Sequence, residues 1–267
     1  AHYFTAYSYK KLLDGLPNAK LIDSERLVNW VRVVKSDAEI DLMKKASKIT
    51  ELGMKKAFDT IKPGIRQSDL VSEITGTLIK GTNDYGGDYS AIVPLLPTGK
   101  GTSASHLTWS DSKFVEGEAT IIELSGVYKR YHCPMARTVL LGKPDQKKID
   151  TMKKTIEALH AGIDVTKPGN TADDVAQAFW KVLDKYGIEK KSRTGYSIGI
   201  GYPPDWGEHT LNIYKGDQTV LEKNICFHMI AVMQFGEWGV EASESVRVTE
   251  TGSELFCNLS KELHIKS

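Results

Sequence analysis

Apolar residues recur at helical spacing along two long stretches of the chain, roughly residues 38–60 and 145–165. Each stretch is followed by a Lys-Pro-Gly triplet, and proline with glycine is typical of a helix end. A second helix is then predicted in each half, capped by Ser68 in the first half and by Thr171 in the second. Both of these helices are rich in valine, leucine and isoleucine or phenylalanine. The pattern therefore predicts the same pair of helices twice.

Strand-like segments follow each pair of helices. A β-like region is predicted at residues 89–96 in the first half and at residues 195–202 in the second. Each half also contains two strands bounded by turn residues, at 119–124 with 131–141 and at 225–233 with 240–248. This order predicts an α+β fold with an internal twofold, in which helices cover the outer face of one curved, mostly antiparallel sheet. Chance recurrence of Lys-Pro-Gly is the alternative, and the matching helices on both sides argue against it.

The first 35 residues differ from the repeated units. Residues 18–23 are predicted to form a short strand and residues 24–31 a short helix. Because so short a piece cannot bury a core of its own, we interpret residues 1–35 as the remnant of a preceding N-terminal domain with its linker. Residues 36–267 then form the main domain. The absence of an initiator methionine is consistent with a start inside a longer protein.

Composition argues against several classes of partner. Lysine and arginine number 35 against 34 aspartates and glutamates, so the formal charge of +1 gives no basic surface of the kind that binds nucleic acid. No apolar run approaches the ~18 residues of a membrane span, and the N-terminal residues do not resemble a signal peptide. Three widely spaced cysteines fit a reducing compartment. We therefore expect a cytoplasmic protein that binds neither nucleic acid nor a membrane.

One acidic residue interrupts an apolar strand in the first half. Glu123 follows Ile121 and Ile122 and precedes Leu124. Burying a carboxylate in such a strand is costly unless the group is paired, hydrogen-bonded or used in chemistry. An exposed position on an edge strand is the alternative. We interpret Glu123 as a candidate catalytic residue.

Two loops carry further candidates. His106 lies in a polar loop before the Glu123 strand, where it is either a solvated surface residue or a general acid or base, a role that its near-neutral pKa suits. Trp206 follows two consecutive prolines, which stiffen a loop because proline fixes φ. That loop is either a surface turn or a support that holds the Trp206 ring over a flat cation.

The last strand pair contains two more acids and a histidine. Alternation along a strand places Glu241, Ser243 and Ser245 on one face and Glu244 on the other, so Glu241 is the acid expected to share a pocket with Glu123. The remaining candidate is His228, on the preceding strand. It is either a packed core histidine or a donor to a substrate carboxylate.

The strand pair around Glu123 resembles the hairpin of the pita-bread family, which includes methionine aminopeptidase, prolidase and creatinase. The resemblance rests on Glu-Leu-Ser-Gly at residues 123–126, on residues 131–138, and on Gly-Tyr-Ser-Ile-Gly-Ile at residues 195–200, which is similar to the family's Gly-His-Gly-Ile-Gly-Leu. In metal-dependent members five side chains bind the metals, and the corresponding positions here are Glu123, Pro134, Tyr196, Ile230 and Ser243. Because all but the first are unsuited to Mn, Co or Zn, the resemblance implies a site without a metal cofactor.

A substrate that carries its own positive charge explains such a loss. The carbon of a guanidinium or amidinium is electrophilic without a Lewis acid, and its delocalised cation favours surrounding carboxylates. The runs at residues 86–99, 106–109 and 202–206 resemble a creatinase-like branch that opens the cyclic amidine of a small zwitterionic compatible solute, giving an N-acetylated diaminobutyrate. This implies a hydrolase of C–N bonds other than peptide bonds, and a homodimer in which the partner subunit helps to close the active site.

The resemblance also implies roles for individual residues. Glu123 is the implied nucleophile or general base, His106 the general acid or base, and Glu241 a carboxylate that faces the substrate cation. The implied substrate-binding residues are Tyr131, Tyr196, Trp206 and His228.

Two other functions stay open at this level. The chain is alternatively a non-catalytic binding module on a peptidase scaffold that has lost its metal, which would bind the amidine without hydrolysing it. A metal-dependent Xaa-Pro peptidase is the third possibility, and it requires stoichiometric metal in the purified protein.

Overall fold

The computed structural model describes residues 4–143 and 145–266, so the parts of the predicted domains at residues 1–3, 144 and 267 lie outside the described residues. The helices are α1 Ala6–Gly15, α2 Leu27–Val31, α3 Asp37–Thr60, α4 Gln67–Lys80, α5 Gln146–Asp164 and α6 Ala172–Lys185, with a short 3-10 helix at Gly99–Ser103. The strands are β1 Ala119–Tyr128, β2 Tyr131–Leu141, β3 Gly195–Tyr202, β4 Asp205–Ile213, β5 Cys226–Phe235, β6 Trp238–Val248, β7 Ser253–Leu255 and β8 His264–Lys266.

Both predicted helix pairs form, and their caps explain where they begin. A capping box closes the start of α3 between Ser36 and Glu39, and Thr171 caps α6 as predicted. The prediction that Ser68 caps α4 is wrong, because α4 begins one residue earlier without a side-chain cap. The first backbone N–H of α4 donates instead to the carbonyl of Ser112, so a neighbouring loop replaces the cap.

The strands form one sheet in the order β1-β2-β3-β5-β6-β7, with β4 paired to β3 and β8 paired in parallel to β2. The long hairpins β1–β2 and β5–β6 occupy equivalent places in the two halves. Helix α3 packs on β1 and β2, and α5 packs on β5 and β6. Each half buries its own apolar cluster between its helices and the sheet. The predicted duplication and α+β class are therefore confirmed.

Two predicted strands are absent from the described residues. Residues 18–23 form no strand, because no other segment in the described part of the chain pairs with them, and Ile22 is 75% exposed. Residues 89–96 also form no regular strand, although Leu95 makes a single bridge to Glu123. The short helix predicted at residues 24–31 is present as α2. Among the described helices, none is long and apolar enough to cross a membrane.

Candidate active site

Alternation along β1 places Glu123 on the face of the sheet opposite α3. Its neighbours Ile122 and Leu124 are fully buried in the cluster beneath α3, so the side chain between them points the other way. Glu123 is nevertheless only 6% exposed. Leu95 exchanges two backbone hydrogen bonds with Glu123, of 2.9 and 3.1 Å, and so covers the edge of β1. The alternative of an exposed edge residue is therefore wrong.

Strand β1 approaches α3 so closely at Gly126 that a side chain has no room there. A Cβ atom on Gly126 would lie 2.4 Å from both the carbonyl oxygen of Ala46 and the backbone nitrogen of Thr50, so no other residue fits. The hydroxyl of Thr50 accepts a hydrogen bond from the Gly126 N–H at 2.9 Å and donates to the Cys133 carbonyl at 2.6 Å. This helix therefore holds both strands of the hairpin that carries Glu123.

The β5–β6 hairpin brings a second acid to the same side of the sheet. Glu241 is 7% exposed and Ser243 is fully buried, and both lie on one face because they are two residues apart. Glu244 points to the other face, where Arg137 donates to its carboxylate at 2.5 Å. The predicted division of the two acids between the faces of β6 is therefore confirmed.

His228 links the two halves of the site. Its Nδ1 lies 4.0 Å from a carboxylate oxygen of Glu123 and 3.2 Å from the hydroxyl of Tyr196, and its Nε2 lies 2.7 Å from the hydroxyl of Ser243. The indole N–H of Trp206 donates to the same Tyr196 hydroxyl at 2.8 Å. One hydrogen-bonded chain thus joins residues from β3, β4, β5 and β6 beside Glu123.

Both ring nitrogens of His228 have a hydroxyl partner. The Ser243 hydroxyl, which also accepts from the backbone N–H of Ala136 at 2.6 Å, lies at Nε2, and the Tyr196 hydroxyl lies at Nδ1. These contacts fix the orientation of the ring beside Glu123.

Burial keeps this cluster largely uncharged in the absence of substrate. Burial raises the pKa of Glu123 well above its ordinary value, and the charge of Glu241 raises it further. Burial also raises the pKa of Glu241 to about 7, against the opposing effect of Lys190. Burial, with Arg137 and Arg193, lowers the pKa of His228 to about 3, so its contact with Glu123 is not an ion pair. The two carboxyls therefore hold at least one proton at neutral pH.

Two predicted site residues do not join this cluster. Tyr131 lies on the helix-covered face, where its hydroxyl donates to Glu39 of α3 at 2.7 Å, and this placement argues against the predicted contact with substrate. His106 is exposed, at a φ of 63°, after the 3-10 helix. No hydrogen bond among the described residues joins it to Glu123. Its loop does reach the site, since the carbonyl of Leu107 accepts from the N–H of Leu96, next to Leu95.

Two basic residues beside the cluster were missed from the sequence. Burial lowers the pKa of Lys190 to about 8, while Glu241 raises it, so the two groups interact. Arg193 places its guanidinium 4.4 Å from the centre of the Tyr196 ring. Both lie in the connection before β3, in a run with Lys191, and nothing in the local pattern separates the members of that run.

The donor atoms do not fit a dinuclear metal centre. Of the five positions at which the resemblance places metal ligands, only Glu123 carries a carboxylate, and the Ser243 hydroxyl is already engaged by His228 and Ala136. Within residues 4–143 and 145–266 no group of three or more histidine, cysteine, aspartate or glutamate side chains is arranged to hold a metal ion.

Both the sequence and the fold of this chain are similar to those of known proteins. The profile of metallopeptidase family M24 matches residues 41–250. The chain is 44% identical to the ectoine hydrolase of Halomonas elongata, covering 99% of this chain and 68% of that protein. It is 39% identical to an uncharacterised hydrolase or peptidase of Sinorhizobium fredii, covering 100% of this chain and 68% of that protein. The X-Pro aminopeptidase of Thermotoga maritima has a TM-score of 0.88 at 19% identity, covering 98% of this chain and 72% of that one, and this likeness confirms the predicted pita-bread fold.

Proposed function

The chain belongs to metallopeptidase family M24, and we propose that it is a metal-independent hydrolase that opens the cyclic amidine of ectoine or hydroxyectoine to an N-acetylated diaminobutyrate. The single observation that carries this proposal is the buried carboxyl pair of Glu123 and Glu241, at a place where the family's other metal-binding side chains are missing. A buried acidic pair suits a cationic substrate, because the cation neutralises the charge that burial makes costly. The identity to a protein named ectoine hydrolase supports the choice of amidine.

Substrate binding activates the acids in this proposal. An amidinium bound beside Glu123 and Glu241 lowers the pKa of both, because a cation favours the carboxylate form. Glu123 then either attacks the amidinium carbon or takes a proton from the water that attacks it. His228, 4.0 Å from Glu123, and the Tyr196 hydroxyl orient the carboxylate while remaining neutral. Trp206 acts through Tyr196, since its ring is fully buried and its N–H donates to that hydroxyl.

The cellular setting forms part of the proposal. We propose a cytoplasmic homodimer in which residues 1–35 connect the catalytic domain to a preceding N-terminal domain. The chain spans 68% of the length of the ectoine hydrolase that it matches, and no residue of α1 is buried, as expected of a segment that packs against something else.

Metal independence is tested by turnover in the presence of a chelator. With ectoine and excess EDTA, we expect NMR to show the acetyl signal of the opened product at the rate seen without EDTA. Loss of turnover that added Mn, Co or Zn restores would contradict metal independence and favour a metal-dependent enzyme. Binding of ectoine without any turnover would instead favour the non-catalytic binding module.

The rise of kcat/KM on the acidic side of its pH profile, the acidic limb, should reflect the ionisation of Glu123 and Glu241. Because the reaction needs Glu123 as a carboxylate and kcat/KM reflects the free enzyme, we expect kcat/KM to rise with pH above the Glu241 pKa of about 7, since Glu241 ionises first and its charge raises the pKa of Glu123 further. Glu241→Gln removes the charge that raises the pKa of Glu123, so the limb should move to lower pH even if the plateau falls.

A surface glutamate provides the control for this shift. Glu237 lies in the turn of the same hairpin, is 73% exposed and pairs with Lys100, so Glu237→Gln should leave the midpoint of the limb in place. A limb that stays fixed in Glu241→Gln, or moves to higher pH, would show that the two carboxyls do not titrate as a pair.

A further inference from the structure

The proposed substrate carries a carboxylate as well as an amidinium, and His228 is the donor to that carboxylate suggested by the sequence, where a packed core histidine was the alternative. The structure makes His228 a poor receptor for an anion. The ring is fully buried, both nitrogens have partners in Tyr196 and Ser243, and the imidazole is neutral. A neutral, satisfied side chain gains little from an anion, whereas a guanidinium binds a carboxylate through two parallel N–H donors.

Arg193 is a guanidinium held at the edge of the site. The next residue, Thr194, is buried and tied to Ile230 of β5 by two hydrogen bonds of 2.7 Å, one from its hydroxyl and one to its carbonyl. The guanidinium of Arg193 stacks over the Tyr196 ring at 4.4 Å and donates through Nη1 to the side-chain oxygen of Asn212. Its backbone, its ring contact and one donor are therefore fixed.

The remaining donors of Arg193 are available to a ligand. The residue is exposed, and in the part of the chain that the structure describes no carboxylate forms an ion pair with it. Asp217 lines the same surface depression, but its carboxylate accepts from the backbone N–H groups of Asn212 and Thr219. Burial lowers the pKa of His228 and raises that of Tyr196, and the charge of Arg193 acts on both groups in the lowering direction, so Arg193 is close enough to interact with the cluster.

We propose that Arg193 is the specificity-determining residue that binds the carboxylate of the zwitterionic substrate, with its guanidinium held over Tyr196 at the entrance of the site. The identity of the substrate rests on the proposed function. The site then has two charged ends, with Glu123 and Glu241 facing the amidinium and Arg193 facing the carboxylate. A cyclic amidine without a carboxylate lacks the second contact.

The test compares two amidines in charge-removing variants of the full chain. Ectoine is compared with 2-methyl-1,4,5,6-tetrahydropyrimidine, the same ring without the carboxylate. In Arg193→Met we expect KM for ectoine to rise about 10- to 100-fold with little change in kcat, as for loss of a hydrogen-bonded charge pair, and a much smaller rise with the carboxylate-free ring. Arg193→Lys should fall between the two, because lysine keeps the charge without the two-pronged geometry.

Lys191→Met is the matched control, since Lys191 lines the same depression but is 86% exposed and pairs with Glu189. It should leave both amidines unaffected. Equal losses on both amidines in Arg193→Met, or no loss on ectoine, would overturn the proposal. Calorimetric binding separates it from the proposed function. If ectoine binds without being hydrolysed, the proposed function is wrong. The role of Arg193 is then tested by the dissociation constants of the two amidines, compared between the wild type and Arg193→Met. A wild-type protein that binds no ectoine overturns both.

Discussion

Glu123→Gln is expected to lower kcat for ectoine by about 10²- to 10⁴-fold, the range for removal of a general base, and by more if Glu123 is the nucleophile. Glutamine keeps the shape of the side chain but neither accepts a proton nor attacks the amidinium carbon. Because the Glu123 carboxyl is buried beside a second acid and its nearest polar partner among the described residues is neutral His228 at 4.0 Å, we expect the substitution to leave the fold intact.

The same variant should be more stable than the wild type at high pH. The folded-state pKa of Glu123 is raised well above its ordinary value of 4.5, so the folded protein holds a proton that the unfolded chain has lost. The stability linked to that proton is present below the unfolded pKa and declines as pH rises through the folded pKa. Glutamine has no such loss, so the gain over wild type grows across this window.

Kinetics and urea unfolding at pH 5 and pH 8 check both statements. Glu189→Gln removes a 77%-exposed carboxylate on a neighbouring loop and should change neither kcat nor stability. Turnover that survives Glu123→Gln would remove Glu123 from the mechanism. Intact-protein mass spectrometry during turnover separates the two remaining roles, because only a nucleophile gains the mass of the substrate.

Helices and hairpins follow from the sequence because their causes are local. The capping box at Ser36, the cap at Thr171 and the apolar periodicity of α3 and α5 all lie within the elements that they define. A strand depends on a partner elsewhere in the chain, which local patterns do not report. Among the described residues, no segment forms a β ladder with residues 18–23, and the β pairing of residues 89–96 is limited to the isolated bridge between Leu95 and Glu123, so both predictions failed.

Some residues of the candidate site could likewise be predicted from the sequence, and others could not. Motif spacing predicted Glu123, Tyr196 and His228 as members of one site, and the register of the hairpins brings them into contact. The placement of Tyr131, which argues against contact with the substrate, could have been predicted from the strand pattern. Tyr131 lies three residues from Pro134 on one strand, and an odd separation places two side chains on opposite faces. No such rule finds Arg193, because its contact with Tyr196 depends on how a loop turns into β3.

The largest stability effect is expected on the opposite face of the sheet, at Arg137. Its guanidinium is 1% exposed and donates to the carboxylate of Glu244 at 2.5 Å, to the carbonyl of Ser243 at 2.7 Å and to three further carbonyls, those of Ala136, Leu259 and Ser260. It thus joins β2, β6 and the C-terminal segment. Arg137→Met should lower the free energy of unfolding by about 3–5 kcal/mol, because it leaves a buried carboxylate without its main partner.

A double variant separates the contribution of charge from that of packing at Arg137 and Glu244. Glu244 is fully buried, one of its oxygens has no hydrogen-bond partner among the described residues, and Lys261 at 3.4 Å is the cation left to it in Arg137→Met. Adding Glu244→Leu to Arg137→Met should therefore recover much of the loss, since an apolar pair of similar volume carries no desolvation cost. Lys185→Met breaks the exposed pair with Glu157 and should lower the stability far less, because solvent screens an exposed ion pair. Urea unfolding measures all three, and an Arg137→Met loss no larger than that of Lys185→Met would show that the buried pair contributes packing alone.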